Sequence, residues 1–122
     1  MLMLPPAVRI FICAQPVDMR SSFDTLAELT RTLIRQQPLS GHLFVFRGRR
    51  GDRAKILWWD RSGYCLWYKR LERGVFRFTA AQEGVVEVEA AELALLLEGI
   101  DLAGAQRRPR FQPSVISSAA HQ

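Results

Sequence analysis

Between residues 43 and 78 the chain is written as four short runs of β-branched and aromatic residues, at 43–47, 54–60, 64–71 and 75–78, parted by turns that carry Gly48, Gly51, Gly63 and Gly74. Runs of Phe, Val, Ile, Trp and Tyr punctuated in this way read as β-strands joined in sequence order by tight connections, an antiparallel meander. The stretch holds nine of the twelve aromatic residues and ten of the seventeen lysines and arginines. Side chains alternate between the two faces of a strand. Phe44 and Phe46 therefore oppose Leu43, Val45 and Arg47, while Ile56 and Trp58 oppose Lys55, Leu57 and Trp59, and Leu66 and Tyr68 oppose Cys65, Trp67 and Lys69. Neither face is wholly polar, so such a sheet needs a cover on both sides. The later helix or a second copy of the chain would serve as the second cover.

The flanking segments supply candidates for the first cover and for further strands. Residues 8–14 are apolar apart from Arg9 and suit a buried strand, which Gln15-Pro16 ends because proline donates nothing to a ladder. After them Phe23, Leu26, Ala27, Thr30, Leu33 and Ile34 recur at three- and four-residue spacing, with Asp24, Glu28, Arg31 and Arg35 opposite. This predicts a long amphipathic helix of about four turns, with Ser21 or Ser22 as its hydroxyl N-cap and Pro38 as its stop. Residues 85–89 have the character of a short edge strand, 90–98 of a second, shorter helix, and Gly99 stands at its expected left-handed C-terminal cap. The expected fold is thus α+β, a meander of about five strands on one long helix. The predicted organisation is a single domain over 1–102 and a flexible basic tail over 103–122.

With 122 residues, 48% hydrophobic, the chain is of the size of one domain with a core that needs no metal or crosslink. Cys13 and Cys65 stand alone inside apolar runs and read as two buried thiols in a reducing cytosol. Met-Leu-Met-Leu before Pro5-Pro6 is too short for a signal peptide or a membrane span, so a cytoplasmic protein without membrane contact is expected. The net charge of +5 is unevenly placed. Ten basic residues against Asp52, Asp60 and Glu72 crowd 47–77, whereas 82–101 holds six acids and no base. A basic face of this kind suits an acidic partner, with DNA the foremost candidate.

Reactive chemistry has little to draw on. The two histidines, His42 and His121, are remote in sequence, the two cysteines are not paired at ligand spacing, and no phosphate-binding Gly-Lys-Ser/Thr loop or Gly-x-Ser-x-Gly elbow occurs. Asp18, Asp24, Asp52 and Asp60 are the remaining candidates for a divalent metal, but Asp24 suits a helix start and Asp52 and Asp60 suit turns. No catalytic residue, metal or cofactor is expected. The sharper candidate is the Arg49-Arg50-Gly51-Asp52-Arg53 tip, since guanidinium forks match phosphate oxygens and a two-stranded ribbon can enter a major groove. With Arg47, Lys55, Lys69, Arg70 and Arg73 it forms the predicted nucleic-acid surface, which requires Arg47, Arg53, Lys55, Lys69 and Arg70 to gather on one side of the sheet. Trp58-Trp59 and Trp67-Tyr68 are candidates for base stacking, although alternation sends one of each pair to the core.

Several runs, taken together, carry a resemblance. Asp18-Met19-Arg20-x-Ser22-Phe23-Asp24-x-Leu26, Ser40 to Arg47, Asp52-Arg53-x-Lys55, Trp59-Asp60 and Tyr68 to Gly74 with Phe76 are in the order and approximate spacing of one family, as is Leu95 to Asp101. The chain resembles the TnpB-type accessory protein, the second-open-reading-frame product of insertion-sequence-66-type bacterial transposable elements. Ser21, where that family often has Lys, and Thr79-Ala80, where an aromatic-Pro ending is common, depart from the pattern. The resemblance implies a non-catalytic helper of transposition encoded beside a separate transposase, with the transposase, other products of the element and DNA as partners. It also marks Asp18, Met19, Arg20 and Asp52 as a shared surface. The alternative is a purely protein-binding assembly module, transposase-binding or homodimeric, without DNA contact.

Overall fold

The apolar run near the start forms β1 (Ile10–Cys13), an inner strand whose four residues are all buried because both faces of the sheet are covered there. In the computed structural model, residues 7–78, 84–101 and 106–107 are described. The other strands of the main sheet are β2 (Leu43–Arg47), β3 (Arg53–Trp59), β4 (Tyr64–Arg70) and β5 (Val85–Val88), in the spatial order β4-β3-β2-β1-β5. β2, β3 and β4 follow one another antiparallel, with Val45 opposite Ile56 and Ile56 opposite Trp67. β1 runs parallel to β2, Ile10 opposite Leu43, and antiparallel to β5, Ile12 opposite Val86.

The sheet is therefore mixed, and the expectation of an antiparallel meander on one long helix is corrected in three respects. First, residues 14–42 form a helical crossover, which returns the chain to the end where β1 began and so makes β2 its parallel neighbour. Second, 75–78 is not a strand. Phe76 and Phe78 are buried and stacked on each other with centroids 5.6 Å apart, and the Phe76 N–H donates to the Gly51 carbonyl at 2.7 Å. Third, the helix is short. α1 (Phe23–Leu29) gives way to a π-helical turn over Thr30–Ile34, after which Arg35 takes a left-handed conformation with φ 64°.

Threonine hydroxyls bond back within these turns, Thr30 to the Leu26 carbonyl at 2.8 Å, which also accepts the Thr30 N–H, and Thr32 to the Glu28 carbonyl at 3.1 Å, an arrangement that tends to bend a helix. Ser22 is the N-cap, but its hydroxyl makes no capping hydrogen bond, and Phe23 is 43% exposed rather than buried. Leu26, Ala27 and Ile34 nonetheless reach the sheet, where they pack with Phe11, Cys13, Phe44, Phe46 and Leu57.

The opposite face is closed by α2 (Ala90–Leu97), whose Leu93, Leu96 and Leu97 pack with Ile10, Ile12, Leu43, Val45, Ile56, Phe76 and Phe78. Glu92 Oε1 accepts from the Glu89 N–H at 2.7 Å at the start of α2, and Gly99, with φ 86°, ends it. Both sheet faces are thus covered from within one chain, and a second copy is not needed to bury either. Arg9 and Glu87 form an exposed two-bond pair, 2.8 Å each, that links β1 to β5. Each partner favours the other's charge, lowering the Glu87 carboxyl and raising the Arg9 guanidinium.

Past Gly99, β6 (Ile100–Asp101) and β7 (Gln106–Arg107) pair antiparallel. The remainder of the expected basic tail, residues 103–105 and 108–122, lies outside the described residues. Cys13 is buried, but Cys65 is only half-buried, with Sγ 3.6 Å from Asp60 Oδ2, so the expectation of two buried thiols holds for one. Burial raises both thiols, and the Asp60 charge raises Cys65 further. No helix among the described residues is long and apolar enough to cross a membrane.

Candidate functional site

Two segments far apart in sequence, 17–20 and 47–53, meet at one end of the sheet. The Val17 N–H donates to the Arg47 carbonyl at 2.9 Å, which lays the segment after Pro16 along the end of β2. Met19 then packs directly on Gly48. A methyl group at 48 would stand 2.6 Å from Met19 Cγ, so glycine is what permits this contact. In the connection between β2 and β3 the Gly51 N–H donates to the Gly48 carbonyl at 3.0 Å, and Gly51 adopts φ 85°. Arg49 and Arg50, between the two glycines, are exposed.

The two segments enclose a cleft of about 290 Å³ lined by Val17, Asp18, Met19, Gly48, Arg49, Arg50, Asp52 and Arg53. Asp18 is held by its neighbour: Arg20 Nη2 donates to Oδ2 at 2.8 Å, and Arg20 Nε and the Arg20 backbone N–H donate to Oδ1 at 3.1 and 2.9 Å. The Arg20 guanidinium first, then its backbone N–H, and more weakly the charges of Arg20 and Arg49, bring the Asp18 carboxyl down to about 2. Because the folded value lies below the ordinary 3.8, this turn is fully stabilised above the ordinary value and loses that stabilisation as pH falls through about 2. An NMR titration should place the Asp18 carboxyl near 2, and Arg20→Gln should move it toward 3.8. An unmoved midpoint in that variant would contradict the pairing.

The predicted cations do not all share this site. Arg53 lines the cleft and donates from Nη1 to the Tyr68 hydroxyl at 3.2 Å, while its buried Nε has no hydrogen-bond partner among the described residues. Lys55 is 7% exposed: its Nζ donates to the Ser21 carbonyl at 2.6 Å and sits 4.7 Å from the centre of the Tyr68 ring. It pins the residues before α1 to the sheet. Lys69 is on the opposite face, where Nζ donates to the Leu97 carbonyl at 3.0 Å and lies 3.9 Å from Glu98, at the negative end of α2. Arg70 pairs with Glu72 at 2.8 Å, and Arg73 is exposed in the bend after β4. Arg47, half-buried, has Nη1 3.6 Å from where a Cβ on Gly51 would be.

The requirement that Arg47, Arg53, Lys55, Lys69 and Arg70 gather on one side is therefore not met. Ala54 is opposite Lys69 and Lys55 opposite Tyr68, so strand alternation sends the two lysines to different faces. What converges is Arg49, Arg50 and Arg53, with Asp18 and Asp52 beside them. Among the described residues, no three His, Cys, Asp or Glu side chains gather as a metal site would require. The aromatic pairs divide as alternation demands. Trp58 and Trp67 pack beside the α2-side core, Trp59 meets Tyr64 edge-on at 5.1 Å, and Tyr68 is 49% exposed. Sequence reasoning missed Val17 and Gly48 as cleft walls, and the only signal for them was their adjacency to the Asp18 and Arg49 runs.

Comparison with known proteins accords with this arrangement of motifs. The chain is 44% identical over 101 residues to the uncharacterised protein y4hO of Sinorhizobium fredii (strain NBRC 101917 / NGR234), covering 81% of this chain and 88% of that one. It is 34% identical over 110 residues to the uncharacterised protein y4jC of the same organism, covering 90% and 94%. No solved structure matches it. The family described as IS66 Orf2-like protein matches residues 8–107, and with most of the chain inside that match the protein belongs to this family of accessory products of IS66-type insertion sequences.

Proposed function

We propose that the protein serves movement of its insertion sequence as a non-catalytic helper that grips DNA at phosphates through the 48–53 loop, with the 17–20 segment as its support. The observation that carries this reading is the convergence of Arg49, Arg50 and Arg53 around one cleft. Arg49 and Arg50 are exposed and, among the described residues, form no ion pair, so their guanidinium forks are available to phosphate oxygens. Arg53 lines the same cleft and adds its positive charge there, its Nη1 being held by the Tyr68 hydroxyl. Lys55 and Lys69 are left out of the contact, because each donates to a backbone carbonyl within the fold.

A gel-shift titration on DNA from the ends of the element tests it. Three phosphate contacts at −0.9 each give a slope of log affinity against log salt of about −3. Arg49→Ala with Arg50→Ala should bring the slope to about −1 and weaken binding to every sequence alike, whereas Lys69→Gln should leave it unchanged. Absence of any shift at low salt overturns the DNA reading. One observation favours a second reading, a module that binds the separate transposase and no DNA. Asp18 and Asp52 stand among the arginines of the cleft, a mixture that suits a peptide bearing both signs of charge. In that case the double arginine variant loses the transposase in a pull-down while DNA is bound by neither protein form.

A further inference from the structure

The backbone of β4 carries hydrogen-bonding groups with no taker in the described sheet, and their parity follows from the ends of its ladder. The Asp60 N–H donates to the Gly63 carbonyl at 3.0 Å, and the Leu71 N–H to the Asp52 carbonyl at 2.8 Å. Between these pairs the register is unbroken, from Trp59 opposite Tyr64 to Arg53 opposite Arg70. Antiparallel pairs alternate between hydrogen-bonded and not, so residues 65, 67 and 69 direct their N–H and C=O at β3, while those of Tyr64, Leu66, Tyr68 and Arg70 point away from it. β4 is the last strand in the order, and no other described strand meets that side.

Folded proteins ordinarily blunt such an edge with a short strand, a proline, a bulge or charge. The other edge, β5, is only four residues long and carries Glu87. β4 has seven residues, neither proline nor glycine, no break in register, and charge only at its last two positions. We propose that a second copy of the chain docks there, β4 against β4 and antiparallel, about a two-fold axis at Trp67, to make a continuous ten-stranded sheet.

Full overlap of residues 64–70 with themselves places the axis at Trp67, the strand's midpoint. It also brings the outward-pointing pairs 64/70 and 66/68 into hydrogen-bonding register. The opposed side chains are then compatible: Tyr64 meets Arg70 of the second copy, Leu66 meets Tyr68, Cys65 meets Lys69, and Trp67 meets its own symmetry mate. Within 64–70 no like charges are opposed, whereas sliding the axis to Lys69 or Arg70 would set cation on cation inside the strand. One strand pair buries less than about 1,200 Å², so the dimer should be reversible on dilution. The proposal is independent of the DNA reading.

Sedimentation of the wild-type protein should show a concentration-dependent monomer–dimer equilibrium. Arg70→Pro removes an outward N–H and the exposed pair with Glu72, a surface pair worth about 0–1 kcal/mol, and should shift it to monomer with the circular dichroism unchanged and the melting temperature nearly so. In a Cys13→Ser, Cys65→Ser background, Trp67→Cys should form a covalent dimer on mild oxidation, since opposed non-hydrogen-bonded residues lie about 4.5 Å apart at Cα, within disulfide reach. Arg70→Cys in the same background should not, as six positions separate the two cysteines by about 20 Å along the strands. A wild-type protein monomeric at every concentration reached, or equal crosslinking through both cysteines, overturns the proposal. Because Trp67 also packs beside the core, Arg70→Pro decides the matter if Trp67→Cys does not fold.

Discussion

Phe44→Ala is expected to lower stability by about 3–5 kcal/mol and the melting temperature by roughly 10–20 °C. Phe44 has no exposed surface and lies on β2 between Phe11 on β1, whose ring is stacked on it at 5.9 Å, and Leu57 on β3. The backbone on both sides is fixed by ladders, one parallel and one antiparallel, so strands cannot close in on the space the ring leaves. α1 lies over the same cluster through Leu26 and Ala27. The cavity term should therefore be near the top of its range, against a total stability of roughly 5–15 kcal/mol for a domain of this kind. Urea denaturation measures it. A loss under about 1 kcal/mol would mean that the α1-side cluster can collapse, contrary to the packing described.

Gly51→Val should lower stability by about 3 kcal/mol and weaken the DNA binding proposed for the arginine loop. Gly51 has φ 85°, a conformation that a β-branched residue adopts only under strain of roughly 1–3 kcal/mol. A Cβ there would also stand 3.1 Å from Val75 Cβ, on the segment that carries Phe76 and Phe78 into the core. Movement of that segment would break the 2.7 Å bond from the Phe76 N–H to the Gly51 carbonyl. Gly63→Ala is the control: Gly63 lacks positive φ and an added Cβ meets nothing within 4 Å, so it should change stability by less than about 0.5 kcal/mol. Thermal melts of the two variants, and their salt slopes on DNA, make the comparison.

The strands 43–47, 53–59 and 64–70 were legible because their alternation and turn glycines are local signals. Their sheet was not, since nothing within 8–14 states that its neighbour will be residue 43 in parallel rather than the next strand in antiparallel. The run 75–78 reads as a strand by residue type, yet its two phenylalanines are held as a plug by a hydrogen bond to Gly51 and by α2, both remote in sequence. The helix was placed correctly at its start and overextended, because the pattern of apolar residues does not reveal that Thr30 and Thr32 turn their hydroxyls back on the preceding turn.

The cleft was partly visible. Arg49, Arg50 and Arg53 stood out by charge and glycine spacing, as Asp18, Met19, Arg20 and Asp52 did by their place in recurring runs. That Met19 rests on Gly48 joins the two sets, and no sequence period encodes a contact between residues so far apart. Lys55 and Lys69 misled for the opposite reason: each is a charged residue in a basic stretch, but each completes a backbone carbonyl's hydrogen bonding from a different face of the sheet.

The position of β1 also bears on how the chain is made. Its four residues are flanked by β2 on one side and β5 on the other, and β5 begins 72 residues after β1 ends (85 − 13). At a synthesis speed of about 5–20 residues per second, β1 waits roughly 4–14 s for its last neighbour. Throughout that interval Ile10, Phe11 and Ile12 have an uncapped flank, and a product cut short before Val85 keeps it permanently, a sticky fragment that cellular quality control must hold or destroy.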